Sequence, residues 1–188
     1  MKVIMSAATT QPLTVEEFDR LDLPQDRNWE LRDGEAVEVS FPLIVHRRIQ
    51  KRVMTLLDPL FPLADVLIEY PFQVGDHDKR SADVAVVSTD RAQVARQKGI
   101  LTGAPELVVE VLSPSNSVME LKRYRRLCLN HGTALFLVID PEDNTVEVFT
   151  QGAKVATYTI EDSLPVVLLD VSSAIPVAQI FQGITLST

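Results

Sequence analysis

The chain has 188 residues, a formal net charge of −8 at pH 7, 46% hydrophobic and 23% charged residues. That length suits one domain with a sizeable core, and the composition excludes general disorder. The single Cys128 excludes an internal disulfide and a cysteine zinc cluster, which suits a reducing cytoplasm. No apolar run approaches the roughly 20 residues of a membrane-spanning helix, and MKVIMSAATTQPL lacks the apolar middle of a signal peptide, so the chain reads as intracellular, with no membrane partner. The negative total opposes broad, non-specific affinity for nucleic acid, although local basic patches still count.

Residues 1–13 read as a leader and 14–188 as a single domain, since no linker or composition break divides the remainder. In LTVEEFDRL, Thr14 with Glu17 three residues on is a helix start. WELRDGEAVEVS predicts a hairpin turning at Asp33-Gly34, with Trp29 and Leu31 on one strand and Val37 and Val39 on the other. From His46 to Leu60, Ile49, Val53, Leu56, Leu57 and Leu60 fall at helical spacing, and Arg47, Arg48, Lys51 and Arg52 make the first half basic.

VLIEYPFQVG and SADVAVVS predict two strands with the turn-rich GDHDKR between them, and Arg91 to Gly99 predicts a short helix. PELVVEVL follows as a strand covered on both faces. In SNSVMELKRYRRLCLNHG, Ser117 can cap and Gly132 can end a helix whose Val118, Leu121, Tyr124 and Cys128 share one face. ALFLVIDPEDNTVEVFT gives a strand, a turn at Pro141 to Asn144 and a second strand; KVATYTI, the apolar LPVVLLDV and a short helix around Val177 to Phe181 complete the chain. The order predicts a mixed α/β fold, a mixed sheet flanked by helices, with LVVEVL, its helix and LFLVID forming one right-handed crossover.

Two acidic residues interrupt apolar strands: Asp83 in SADVAVV and Glu110 in LVVEVL. On neighbouring strands their carboxylates can converge on a hard divalent cation such as magnesium, which prefers oxygen ligands and keeps several waters. Such an ion lowers the pKa of a bound water and stabilises charge on a phosphate. The alternative has Asp83 starting its strand at the surface and Glu110 paired with an arginine; spacing alone favours this second reading.

The ordered set WELRDGEAVEVS, His46 opening a helix, SADVAVVS, APELVVEVLSPSNS, a helix ending LCLNHG, LFLVIDPE and VEVF resembles the Uma-type putative restriction endonuclease family, within the PD-(D/E)XK nuclease superfamily. The resemblance covers roughly residues 14 to 181, and EVLSPSNS followed at fixed distance by the helix and the strand with DPE is its most specific piece. It implies a restriction-endonuclease-like core and metal, Mg2+ or Mn2+, held by Asp83 and Glu110. Glu30 and His46 match positions that recur in such sites; without the resemblance they read as a solvated hairpin carboxylate and a polar helix-start residue.

Two departures accompany the matches. The family's active-site lysine stands eight residues before the glycine that ends the helix, and here that position is Tyr124. Lys122 lies two residues away, about 200° around a helix, so it points to nearly the opposite face. Arg123 and Arg125 flank Tyr124 by about 100° on either side and have the reach to bend over, although neither is an equivalent replacement. The usual proline before the aspartate is replaced by Ala82.

The basic helices carry eight of the 18 Lys+Arg residues in two short stretches, Arg47, Arg48, Lys51 and Arg52 and then Lys122, Arg123, Arg125 and Arg126. They form a positive rim for DNA if both border the carboxylates, and two solvated helix faces otherwise. The expectation is therefore a metal-dependent endonuclease acting on DNA phosphodiesters, with Asp83, Glu110, Glu30 and His46 in its site and Tyr124 at the lysine position. The alternative is a catalytically degenerate module that binds nucleic acid or a protein partner without cutting. Analogy with the superfamily suggests a homodimer or higher homo-oligomer, because duplex DNA offers two strands.

Overall fold

The computed structural model describes residues 11–41, 43–113 and 117–184. Helix α1 (Val15–Asp19) begins with a complete capping box: the Glu17 N–H donates to the Thr14 hydroxyl at 3.2 Å, and the Thr14 N–H donates to Glu17 Oε2 at 2.8 Å. Strands β1 (Asn28–Arg32) and β2 (Glu35–Val39) form the expected hairpin. Its turn needs two left-handed residues, Asp33 at φ 49° and Gly34 at φ 79°. A Cβ at Gly34 would also lie 2.3 Å from Pro12 Cβ, so the turn is packed under the chain that enters it. Residues 1–10 of the segment read as a leader lie outside the described residues; Leu13 is tied to the turn by its N–H, which donates to Gly34 O at 2.9 Å.

Helix α2 (Ile44–Leu57) buries Ile49, Val53 and Leu57 and exposes Arg47, Arg48 and Lys51, as its 3.6-residue pattern requires, and a 3-10 turn (Asp58–Leu60) follows. Strands β3 (Asp65–Val74) and β4 (Asp78–Val87) pair antiparallel from Val74↔Asp78 to Asp65↔Val87. Helix α3 (Thr89–Lys98) stops at Gly99, whose φ of 79° is a left-handed cap, and the short β5 (Leu101–Thr102) lies parallel to β3. Strand β6 (Leu107–Val111), helix α4 (Val118–Asn130) and β7 (Leu135–Asp140) make the crossover, with Leu107↔Leu135 through Val111↔Ile139 in parallel register. Strands β8 (Thr145–Phe149) and β9 (Ala156–Tyr158) extend the sheet, whose order is β2-β1-β4-β6-β7-β8-β9 with β3 also on β4.

The apolar LPVVLLDV takes a definite form, and the expectations for Ser117 and Val118 changed. LPVVLLDV is two strands, β10 (Ser163–Leu168) and the start of β11 (Val171–Pro176), joined at Leu169 and Asp170 with φ of 49° and 63°. No glycine or asparagine marks that turn, so the sequence hides it. Ser117 is the N-cap of α4 but makes no side-chain cap bond, and Val118 is 68% exposed while Tyr124 and Cys128 are buried. The SPSN part of the motif includes residues 114–116, which lie outside the described residues. Helix α5 (Val177–Phe181) closes the described chain.

The sheet is covered on both faces. Helices α2 and α5 and the β10–β11 hairpin pack on Val84, Val86, Leu107, Val109 and Val111. Helices α3 and α4 pack on Ala85, Val87, Val108, Phe136 and Val138. Strand β6 alternates between these faces as a regular strand must. Strand β4 does not: Ala82 packs with the α4 side although Val84 and Val86 face α2, so the alternation inverts between them. The inversion lies beside Glu69 of β3, which has φ 50° between Ile68 and Tyr70, the partners of Val84 and Ala82. It turns the intervening Asp83 toward α2. Among the described residues no helix is long and apolar enough to cross a membrane.

Candidate active site

The antiparallel register of β4 and β6, Val84↔Val109 with Ala85↔Val108, brings Asp83 and Glu110 opposite each other one step further on. Both are partly buried, and each carboxylate touches the backbone of the other's strand. The Val111 N–H donates to Asp83 Oδ2 at 2.7 Å, and the Asp83 N–H donates to Glu110 Oε1 at 3.4 Å. Helix α2 adds two side chains four residues apart and therefore on one face. Gln50 Nε2 donates to Asp83 Oδ1 at 3.0 Å, and His46 Nε2 lies 3.0 Å from Asp83 Oδ2. His46 Nδ1 is buried and makes no hydrogen bond within geometric limits among the described residues, although the Val111 backbone lies close enough to favour the charged ring. Burial pushes the His46 pKa down, but the hydrogen bond and charge of Asp83 outweigh it and the net direction is up.

Strand β1 brings Glu30 to the same end of the sheet. The Ser81 N–H donates to Glu30 Oε1 at 3.0 Å, and Arg32 holds the other oxygen through Nε at 2.9 Å and Nη2 at 2.8 Å. Glu110 feels both neighbours: burial, then the Asp83 and Glu30 charges, pushes its carboxyl well above the usual value. Glu110 interrupts the apolar strand, then, without a short ion pair of its own among the described residues.

Helix α4 points Tyr124 at this cluster. The ring is 6% exposed and packs on Phe72 and Phe136, with centroids 6.2 and 5.8 Å away. Its hydroxyl donates to Ser81 O at 3.3 Å, and burial, above all, holds that hydroxyl well above its ordinary pKa, so it stays neutral. The Arg80 guanidinium sits 5.6 Å over the ring and pairs with Asp78 at 3.1 Å and Glu120 at 3.0 Å.

Asp83, Glu110, Glu30, His46 and Tyr124 therefore come together, and Lys122 does not join them. Lys122 is exposed and lines a groove with Arg125, Arg126 and residues 150–152, where the Arg125 guanidinium lies 3.9 Å over the Phe149 ring. Arg123 and Arg126 border a second groove with Asp33, Asp78 and Arg80. On α2, Arg52 donates to Gln182 O at 3.2 Å, turned away from Asp83. The residues that sequence reasoning missed are Gln50, Ser81, Arg32, Arg80 and Glu120. Gln50 had a legible signal, a polar residue one turn after His46 on a helix face otherwise made of Ile49, Val53 and Leu57. Arg32 alternates with Glu30 on a strand and so shares its face.

Among the described residues no group of three or more His, Cys, Asp or Glu has the geometry to hold a metal ion, so a cation here would rest on at most two such side chains. Among solved structures, the crystal structure of a putative nuclease belonging to DUF820 from Anabaena variabilis ATCC 29413 matches with a TM-score of 0.77 and 23% identity, over 90% of this chain and 98% of that chain. That likeness establishes the mixed sheet with flanking helices as a shared fold. No curated protein matches the chain. The Uma2 family model, described as putative restriction endonuclease, matches residues 15–187, nearly the whole sequence, and the chain belongs to that family.

Proposed function

We propose that the protein is a metal-dependent endonuclease that hydrolyses DNA phosphodiester bonds, with Asp83 and Glu110 holding Mg2+ or Mn2+. The observation that carries this reading is the setting of Glu110: a partly buried carboxylate opposite Asp83 on the neighbouring strand, with a single long backbone hydrogen bond at 3.4 Å among the described residues. A divalent cation would offset the like charges of these carboxylates, and two oxygen ligands on neighbouring strands suit magnesium, which keeps most of its waters. Bound there, it would polarise a phosphate oxygen and acidify a coordinated water.

The chain's own residues would orient that chemistry. Gln50 and the Val111 N–H fix the Asp83 carboxylate, and His46 adds a third contact. Hydrolysis forms a bond from water oxygen to phosphorus, breaks the P–O bond to the leaving sugar, and passes the water's proton toward that oxygen or to solvent; His46, one contact behind Asp83, would orient that carboxylate and balance its charge. A cytoplasmic homodimer acting on both strands of a duplex belongs to the same reading.

Neutral Tyr124 favours a second reading, a degenerate module that binds nucleic acid or a partner without cutting. Supercoiled plasmid incubated with Mg2+ or Mn2+ separates the two. The nuclease reading expects nicking that Asp83→Ala and Glu110→Ala abolish. Duplex binding without nicking supports the second reading, and the absence of both cleavage and metal binding overturns the first.

A further inference from the structure

Two arginines stand beside the site where the family's lysine is replaced by tyrosine, and burial separates their roles. Arg80 has a side chain only 4% exposed, ion-paired to Asp78 and Glu120 and lying over Tyr124. Reaching a ligand would break its ion pairs to Asp78, Glu120 and Glu30, so Arg80 is a brace between β4 and α4. Arg32 is 23% exposed. It spends Nε and Nη2 on one oxygen of Glu30, and its Nη1 lies 3.6 Å from Glu120 Oε1, too far for a hydrogen bond.

Glu30 is itself fixed, because its second oxygen accepts the Ser81 N–H two residues before Asp83 on β4. The sequence of contacts from Ser81 through Glu30 to Arg32 therefore sets the guanidinium relative to the strand that carries Asp83. A planar, partly exposed guanidinium matches a phosphate oxygen pair better than an ammonium does.

We propose that Arg32, oriented by Glu30, is the phosphate-binding cation of the site, supplying from the sheet the charge that a lysine at position 124 would supply from α4. The inference rests on the nuclease reading above and gives Glu30 the task of a positioning residue.

The test uses full-length protein with Arg32→Ala, Arg32→Lys, Glu30→Gln and, as a control on the exposed α1 pair, Arg20→Ala. One arm measures nicking of supercoiled plasmid in Mg2+; the other measures binding of a duplex oligonucleotide by anisotropy in Ca2+ across a salt series. Arg32→Ala is expected to slow nicking on the order of 100-fold, the usual loss for one transition-state donor. It should weaken duplex binding roughly tenfold and lower the slope of log K against log salt by about one, a change that a purely structural role would not produce. Arg32→Lys should recover the slope but only part of the rate, and Glu30→Gln should lower the rate while leaving the slope intact. If Arg32→Ala fails to fold by thermal unfolding, Arg32→Lys decides: wild-type nicking in that variant overturns the guanidinium role. Folded Arg32→Ala matching Arg20→Ala in both arms overturns the proposal outright. A wild type that never nicks sinks the nuclease reading alone, and the salt slope still decides Arg32.

Discussion

The N–H of Asp83 donates to Glu110 Oε1 at 3.4 Å, and the Asp83 carboxylate accepts the Val111 N–H at 2.7 Å on the same strand as Glu110. The pair is linked but unequal. Asp83 is held by Gln50, His46 and Val111, whereas Glu110 has, among the described residues, one long bond and two like charges acting on it. A site ready for a cation carries this kind of imbalance as a cost in the cation's absence.

Glu110→Gln should therefore stabilise the metal-free protein. Burial and the neighbouring carboxylates raise the folded carboxyl above its usual 4.5, so the folded state binds the proton more tightly. The contribution to stability is complete below 4.5 and is lost as pH climbs through the folded value. In EDTA, wild-type stability should fall over that window and Glu110→Gln should not follow it. At pH 8 the variant should be more stable by about 1 kcal/mol, or about 2–4 °C in Tm. Adding Mg2+ should raise the wild-type Tm and leave the variant unmoved; equal responses in calorimetry would contradict the metal assignment.

Asp83→Ala should cost more than Asp83→Asn. Removing the acceptor strands the Gln50 amide, on a residue only 1% exposed, and the Val111 N–H, at about 1–3 kcal/mol for each buried orphan. Asparagine keeps one acceptor oxygen and should lose roughly half as much. Urea unfolding of both variants checks this ranking, and both should lose metal-dependent nicking.

Much of this arrangement was legible because strand and helix periods are local. Short apolar runs placed Asp83 and Glu110 in strands, and Asp33-Gly34 placed the hairpin that carries Glu30. What the sequence hid is non-local or irregular. The inverted alternation at Ala82 depends on Glu69 adopting φ 50°, an unusual conformation for a non-glycine residue, and nothing near Asp83 announces that its side chain turns to α2. The Arg80 brace joins residues 40 apart in sequence, Arg80 to Glu120, and needs tertiary contact to be seen. The two strands that meet in LPVVLLDV were masked because their turn, Leu169-Asp170, has no glycine or asparagine.

Cys128 should be silent toward thiol reagents in the native state. It is fully buried, and burial, above all, pushes its thiol far above the ordinary range, so almost no thiolate exists at neutral pH. Reaction with a disulfide reagent such as DTNB should then proceed only through unfolding, at a rate that rises with urea and does not depend on reagent concentration when opening limits it. Rapid native labelling would show that α4 opens locally against β7.

Tyr124→Lys restores the residue type expected at this position, yet it should not restore a family-like site. The ring fills the space between Phe72 and Phe136, its hydroxyl donates to Ser81 O, and the Arg80 guanidinium lies 5.6 Å over its face. Lysine would lose the aromatic packing and set an ammonium beside a buried guanidinium that is only 4% exposed. The packing loss alone is on the order of 3 kcal/mol, and the like charge adds to it. Tyr124→Phe removes only the hydroxyl contact and should cost about 1 kcal/mol. Thermal unfolding should rank wild type above Tyr124→Phe and both above Tyr124→Lys, with no gain in nicking for the lysine variant. A stable, more active Tyr124→Lys would mean that position 124 accepts a cation as it stands, and that Arg80 is a looser brace than its contacts indicate.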